Sequence, residues 1–240
     1  MFSVPKRILA TACISLLALV GCGGNSIKNP AHVRFFNGFS DRGDVRVYIG
    51  GKLFSTPSVG PDISFANELS YGNATSGSVD IVTNPYADPS TTWASLTAQA
   101  LITGVNYTVI GATVSSTRTL YKFEDGVAPS SGSAFVRILD AAGTLSPIYY
   151  TLRKASDDTI VYQTSSGQTV GTSSGYKSVA VSGSGGIQYL LNVYTSGTFL
   201  TSISGDIPVT LQEGTPVTVV LYNSADGRVH AKSGPDVVGS

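Results

Sequence analysis

Gly171-Thr172-Ser173-Ser174-Gly175 satisfies the Gly-x-Ser-x-Gly pattern, in which a serine hydroxyl stands exposed on a sharp turn, ready for nucleophilic attack. An acid, Asp206 or Asp226, and then His230 follow in the chain order that hydrolases of this kind use. The chemistry requires a helix after the turn and a histidine within hydrogen-bond reach of the serine. No helical pattern follows Gly175, and Tyr176 to Val181 reads as a strand. A chain with 27 Gly and 56 Ser and Thr residues also offers many chance matches. The segment is therefore read as a polar hairpin loop, with a serine-type hydrolase built on Ser173 as the alternative.

Asn84 to Trp93 is a second candidate, carrying the single Trp together with Tyr86 among Pro and hydroxyl residues. Aromatic rings on a rigid loop can stack on the apolar face of a sugar or anchor a protein contact. Tyr86 and Trp93 are the candidate ligand-binding residues on that basis. The competing reading folds both rings back to plug the end of the unit. Arg42-Gly43-Asp44 spells a short cell-attachment tripeptide, but Gly43 serves a turn and Asp44 opens a strand. Arg34 and Arg137 hold equivalent places in two halves of the chain, which favours a scaffold role: a guanidinium pairs with a carboxylate and bridges backbone carbonyls. His32 and His230 lie far apart with no further ligand at metal spacing, and the close acidic pairs Asp157-Asp158 and Asp41 with Asp44 do not resemble a calcium loop. No metal and no cofactor is expected.

The elements that must position these residues belong to a chain of 240 residues, with 15 basic and 15 acidic side chains. That balance leaves no basic stripe for nucleic acid. A hydrophobic content of 42% is too high for a disordered chain, and two Cys residues are too few for an internal disulfide framework.

Residues 1–21 read as an export signal. Lys6 and Arg7 precede an apolar run from Ile8 to Val20, too short to span a bilayer. The run ends in Leu19-Val20-Gly21-Cys22, which resembles the lipobox of bacterial lipoproteins, where the chain is cut before the Cys and its thiol is acylated. Cys22 is the expected lipidation site. Cys13 is a poorer acceptor because Ala10 stands where the motif has Leu. Cleavage removes two basic groups and leaves 13 basic against 15 acidic side chains, a net charge of −2. Gly23 follows the Cys in place of the Asp that often retains lipoproteins in the inner membrane, so the outer membrane is the favoured destination by resemblance. Residues 22–30 form a tether.

Beyond Pro30 the pattern has period two. Val45, Val47 and Ile49 alternate with Asp44, Arg46 and Tyr48, and similar short runs recur at 105–111, 148–152, 187–193, 207–211 and 217–221. Val33-Arg34-Phe35-Phe36-Asn37 is echoed 103 positions later by Val136-Arg137-Ile138-Leu139-Asp140, and Gly104 to Ile110 is echoed 110 positions later by Gly214 to Val220. These echoes predict two tandem antiparallel Ig-like β-sandwiches, over 31–125 and 134–240, joined by a Gly/Ser/Pro-rich linker at 126–133. The Val-Arg strand, the Asp44 to Gly51 strand and the Gly104–Tyr107 start resemble domain-of-unknown-function family 4397 in two copies. The resemblance implies Ig-like sandwiches on secreted or lipid-anchored bacterial proteins and supplies no catalytic residues. In the second copy Val217 replaces the Tyr, and 147–154 lacks the opening Asp.

Together these features predict a non-catalytic, lipid-anchored protein of the cell envelope. Its partners would be the membrane, through the anchor, and a polysaccharide or an envelope protein. A purely structural spacer is a further alternative.

Overall fold

The computed structural model describes residues 29–41, 43–54, 62–67, 70–181 and 185–237. In the first half lie β1 (Ala31–Gly38), β2 (Val45–Ile49), β3 (Lys52–Leu53), β4 (Asp62–Ile63), β5 (Gly72–Ala74), β6 (Gly77–Pro85), β7 (Ala94–Leu101), β8 (Asn106–Val114) and β9 (Thr117–Glu124). They form one sheet in the order β5-β1-β8-β9 and another in the order β3-β2-β6-β7, with β4 also on β2. The period-two reading of β2 holds: Val45, Val47 and Ile49 are buried, while Arg46 and Tyr48 are half-buried. The first core gathers Val33, Phe35, Val47, Ile81, Val109 and Leu120 between the sheets. Each such side chain contributes about 1.5–3 kcal/mol through removal from water.

The second half contributes β10 (Ser133–Asp140), β11 (Tyr149–Lys154), β12 (Ile160–Gln163), β13 (Lys177–Ala180), β14 (Ile187–Tyr194), β15 (Ile207–Leu211), β16 (Pro216–Asn223) and β17 (Val229–Pro235). The sheets run β13-β10-β16-β17 and β12-β11-β14-β15 around a separate core that includes Val136, Tyr150, Tyr189, Leu191 and Val219. The all-β class and the two sandwiches expected from the sequence are present. The antiparallel expectation needs one amendment in each sandwich. β1 pairs β8 in parallel and β10 pairs β16 in parallel, whereas the other pairings are antiparallel. A parallel neighbour needs a long crossover, and the intervening strands, which include the whole second sheet of each sandwich, supply it.

β8 departs from alternation: its first seven residues are all buried. Tyr107 and Val109 enter the first core, while Ile110 and Ala112 meet Phe36, Leu139, Ala141 and Val220 in a third cluster built by both halves. A strand buried on both faces reads as a continuous apolar run. The two sandwiches therefore stack face to face through their β1- and β10-containing sheets, with the β2- and β11-containing sheets outermost. Gly143 marks the closeness of the approach: a Cβ there would lie 1.9 Å from the Thr113 carbonyl oxygen. The segment after β9 is tied down too. The Glu213 carboxylate accepts from Gly132 N at 2.7 Å, and Gly126 N donates to Tyr176 Oη at 3.3 Å.

Candidate functional site

Four of the five buried charged side chains among the described residues, all but Asp140, converge where the two sandwiches meet. Arg34 on β1 faces away from the first core because its neighbours Val33 and Phe35 point into it. Its Nε donates to Thr108 Oγ1 at 2.8 Å, its Nη1 donates to the Pro235 carbonyl at 3.2 Å, and its Nη2 pairs with Asp236. Arg137 on β10 repeats each contact in reverse. Nε donates to Thr218 Oγ1 at 3.1 Å, Nη1 donates to the Glu124 carbonyl at 2.8 Å, and Nη2 pairs with Asp125. Each arginine thus binds the aspartate that follows the last strand of the other sandwich. Thr108 Oγ1 donates to Asp125 at 2.6 Å and Thr218 Oγ1 donates to Asp236 at 2.8 Å, which closes a ring of six side chains.

Tyr71 and Tyr176 cap this ring, each hydroxyl donating at 2.5 Å to Asp125 and Asp236 respectively. Their rings lie under the guanidinium carbons of Arg34 and Arg137, at 4.9 and 4.7 Å. Burial pushes both phenols well above the usual tyrosine range, with the neighbouring guanidinium as the opposing influence. Both phenols therefore keep their protons near neutral pH. Two guanidinium and two carboxylate groups cancel, each charge is hydrogen-bonded, and the ring acts as a joint. The scaffold role read for Arg34 and Arg137 holds, although it lies between the sandwiches. Sequence reasoning missed Asp125, Asp236, Thr108, Thr218, Tyr71 and Tyr176. Each pair recurs at an offset of 105 to 111 residues, and that was the available signal.

Trp93 and Tyr86 do come together, around a depression of about 210 Å³ that Gly43 and Pro85 also line. Their situations differ. The Trp93 ring packs edge-on to Phe39 at 6.0 Å, and the Arg118 guanidinium lies 4.0 Å from its centre. A Cβ on Gly43 would fall 2.5 Å from the indole, so only glycine admits the ring there. Trp93 packs against the end of the first core, whereas the competing reading placed both rings there. Tyr86 remains 49% exposed, with Arg46 over one face at 4.8 Å. The loop between them is held by Asp88, which accepts from Ser90 and Thr91 and is kept below the usual carboxylate range by those bonds.

Ser173 and His230 are not brought together. Ser173 bridges Leu139 on the β13 side of β10, and its Oγ accepts from Gly175 N at 3.0 Å. His230 sits on β17, at the opposite edge of that sheet, where Nε2 lies 3.0 Å from Asp226 across the β16–β17 hairpin. Three strand spacings separate the two sites, at least about 14 Å. Asp206 is engaged by Arg153 and Asn192, both at 2.7 Å. Ser173 and His230 therefore cannot act as one catalytic pair in this geometry. Among the described residues no group of three His, Cys, Asp or Glu side chains could hold a metal ion. Cys22 and Arg42 lie outside the described residues.

A cleft of about 360 Å³ lies between the edge strands β12 and β13 of the second sandwich. Its floor is Gln168, whose Nε2 donates to the carbonyls of Ile138 and Thr172 at 3.1 and 3.0 Å and whose Oε1 accepts from Tyr150 Oη at 3.3 Å. Ser and Thr residues of the loop 164–174 form most of the wall.

No protein-family model matches the sequence, and no characterised relative is found for it, so the resemblance drawn above rests on its quoted residues. Solved structures give distant likenesses. One is a leucine-rich repeat protein from Bacteroides thetaiotaomicron, 9% identical with a TM-score of 0.21, covering 79% of this chain and 26% of that one. Another is a proposed cell adhesion protein from Bacteroides uniformis, 11% identical with a TM-score of 0.27, covering 88% of this chain and 98% of that one. This chain thus spans about a quarter of the first of these proteins, and at such TM-scores neither neighbour assigns it an activity.

Proposed function

We propose that the chain is a non-catalytic interaction module of the cell envelope, anchored by lipid on Cys22 and related to family 4397. One observation carries the non-catalytic reading: the buried charged cluster is a closed ring joining two sandwiches, with every charge paired inside the protein. A reactive centre would leave a group free to act on a substrate. The face-to-face stack makes a rigid block, and a rigid block loses less entropy on binding than two swinging domains. With 13 basic against 15 acidic side chains after cleavage before Cys22, its ligand is held by hydrogen bonds and shape more than by long-range charge.

Metabolic labelling of the source cells with a fatty acid, followed by protease shaving of intact and lysed cells, tests the reading. The expected result is label on the wild-type chain and none on Cys22→Ser. Loss of the chain on shaving of intact cells favours a surface partner, and protection until lysis favours a periplasmic one. An unlabelled wild-type chain released as soluble protein overturns the anchored reading.

A further inference from the structure

The cleft between β12 and β13 is built for a ligand that the joint and the aromatic rim are not. Its floor is pre-formed: Gln168 and Tyr150 are buried and hydrogen-bonded to each other and to backbone, so they need no rearrangement on binding. Its wall is the opposite. The hydroxyls of Ser165, Ser166 and Thr169 are exposed and make no hydrogen bond among the described residues. Ser173 Oγ accepts one bond from Gly175 N, and its own proton has no acceptor among the described residues. A row of free hydroxyls around a satisfied floor suits a ligand that is itself a lattice of hydroxyls. The volume lies at the lower end of small-molecule sites, about 300–1,000 Å³.

Among the described residues one charged side chain lines this cleft. Lys177 at the start of β13 is half-buried, stands 5.5 Å from the Tyr162 ring, and forms no ion pair among the described residues. Among the described residues no carboxylate lines the cleft. That absence matters twice: the ammonium is not neutralised from within, and the pair of carboxyl groups that glycoside hydrolysis uses is missing. We infer that the cleft binds, without cleaving, a segment of an acidic polysaccharide, with a uronic-acid carboxylate at Lys177 and ring hydroxyls on the Ser165–Ser173 wall. This inference rests on the reading of the chain as a non-catalytic binder and adds to it the site and the ligand class.

The test is calorimetric titration of the purified full chain with oligogalacturonate and with the same oligosaccharide after reduction of its carboxyl groups, with product sizes checked afterwards. The expected result is binding of the uronate form at least about tenfold tighter than the reduced form, weakened by salt, with the oligosaccharide recovered intact. Lys177→Gln should lower uronate affinity to that of the reduced form, and Ser166→Trp, placed on the exposed wall, should abolish both. Unchanged thermal unfolding of the variants separates loss of binding from loss of fold. Failure of the wild-type chain to bind either form, or indifference of uronate binding to Lys177→Gln, overturns the inference while leaving the anchored module standing. Shortened products overturn the non-catalytic reading itself.

Discussion

Asn37 and Asp140 occupy the same place in the two sandwiches, three residues after Arg34 and Arg137 at the end of the opening strand. Both side chains accept a bond from the backbone N–H two residues on, Phe39 in one case and Ala142 in the other. There the likeness stops. Asn37 also has an amide nitrogen, which donates at 2.9 Å to the carbonyls of Gly43 and Ile63 and ties β1 to the loop and strand across the sandwich. Asp140 has a second oxygen instead, fully buried and without a donor among the described residues. Burial pushes its carboxyl up to about 6, with the bond from Ala142 opposing.

The arginines three residues earlier did not diverge in this way. Each serves the opposite sandwich, so a change in one half breaks a contact in the other, whereas position 37 or 140 is answered only within its own half. The arginine ring and the Asn37–Asp140 pair therefore make opposite predictions about mutation.

The largest effect is expected at the joint. Arg137→Met should leave Asp125 buried without its main partner and cost about 3–5 kcal/mol in urea unfolding. Arg34→Met should cost a similar amount through Asp236. A difference of more than about 2 kcal/mol between the two would break the two-fold equivalence of the ring. Asn37→Asp should follow, with a loss of about 3 kcal/mol at pH 8, since it removes two donated bonds and buries a charge.

The reciprocal Asp140→Asn should stabilise the protein. The carboxyl titrates near 3.8 when unfolded and at about 6 when folded, so the folded form holds its proton over that interval. The protonated form carries no penalty below about pH 4, stability falls as pH rises through about 6, and the full cost of about 3 kcal/mol applies above that. Asp140→Asn should therefore raise the melting temperature at pH 8 and flatten its decline between pH 4 and 7. An unchanged pH profile would show that Asp140 is solvated. The smallest effect is expected at Trp93: Arg118→Ala should cost about 0.5–1 kcal/mol and make the indole emission redder and easier to quench. Emission already red in the wild type would reopen the binding-loop reading.

Much of this architecture is written locally. The alternation of Val45, Val47 and Ile49 against Arg46 and Tyr48 specifies a strand with one buried face, because successive side chains point to opposite sides. The Asp226-Gly227 turn falls where the spacing between Tyr222 and Val229 demands a hairpin, and Gly227 takes the positive φ of 74° there. β8 carries no such alternation. Its unbroken burial comes from a second sandwich covering its outer face, and no pattern within Asn106 to Val114 names that partner. The parallel pairing of β1 with β8 was likewise hidden, since period two is common to both strand directions.

The candidate sites divide in the same manner. The duplication of Arg34 as Arg137 marked both as scaffold residues from spacing alone, and Gly171 to Gly175 is visible in the sequence as a polar loop. What the tertiary structure alone decided is which groups meet. Arg34 reaches Asp236, 202 residues away, and Arg137 reaches Asp125, 12 residues away, by the same geometry. Ser173 and His230, in the order that hydrolysis uses, end on opposite edges of one sheet. Periodicity sets which face a side chain takes, because the backbone repeats every two residues. Ion pairs, clefts and catalytic contacts depend on distance in space, which only the packing of sheet against sheet establishes.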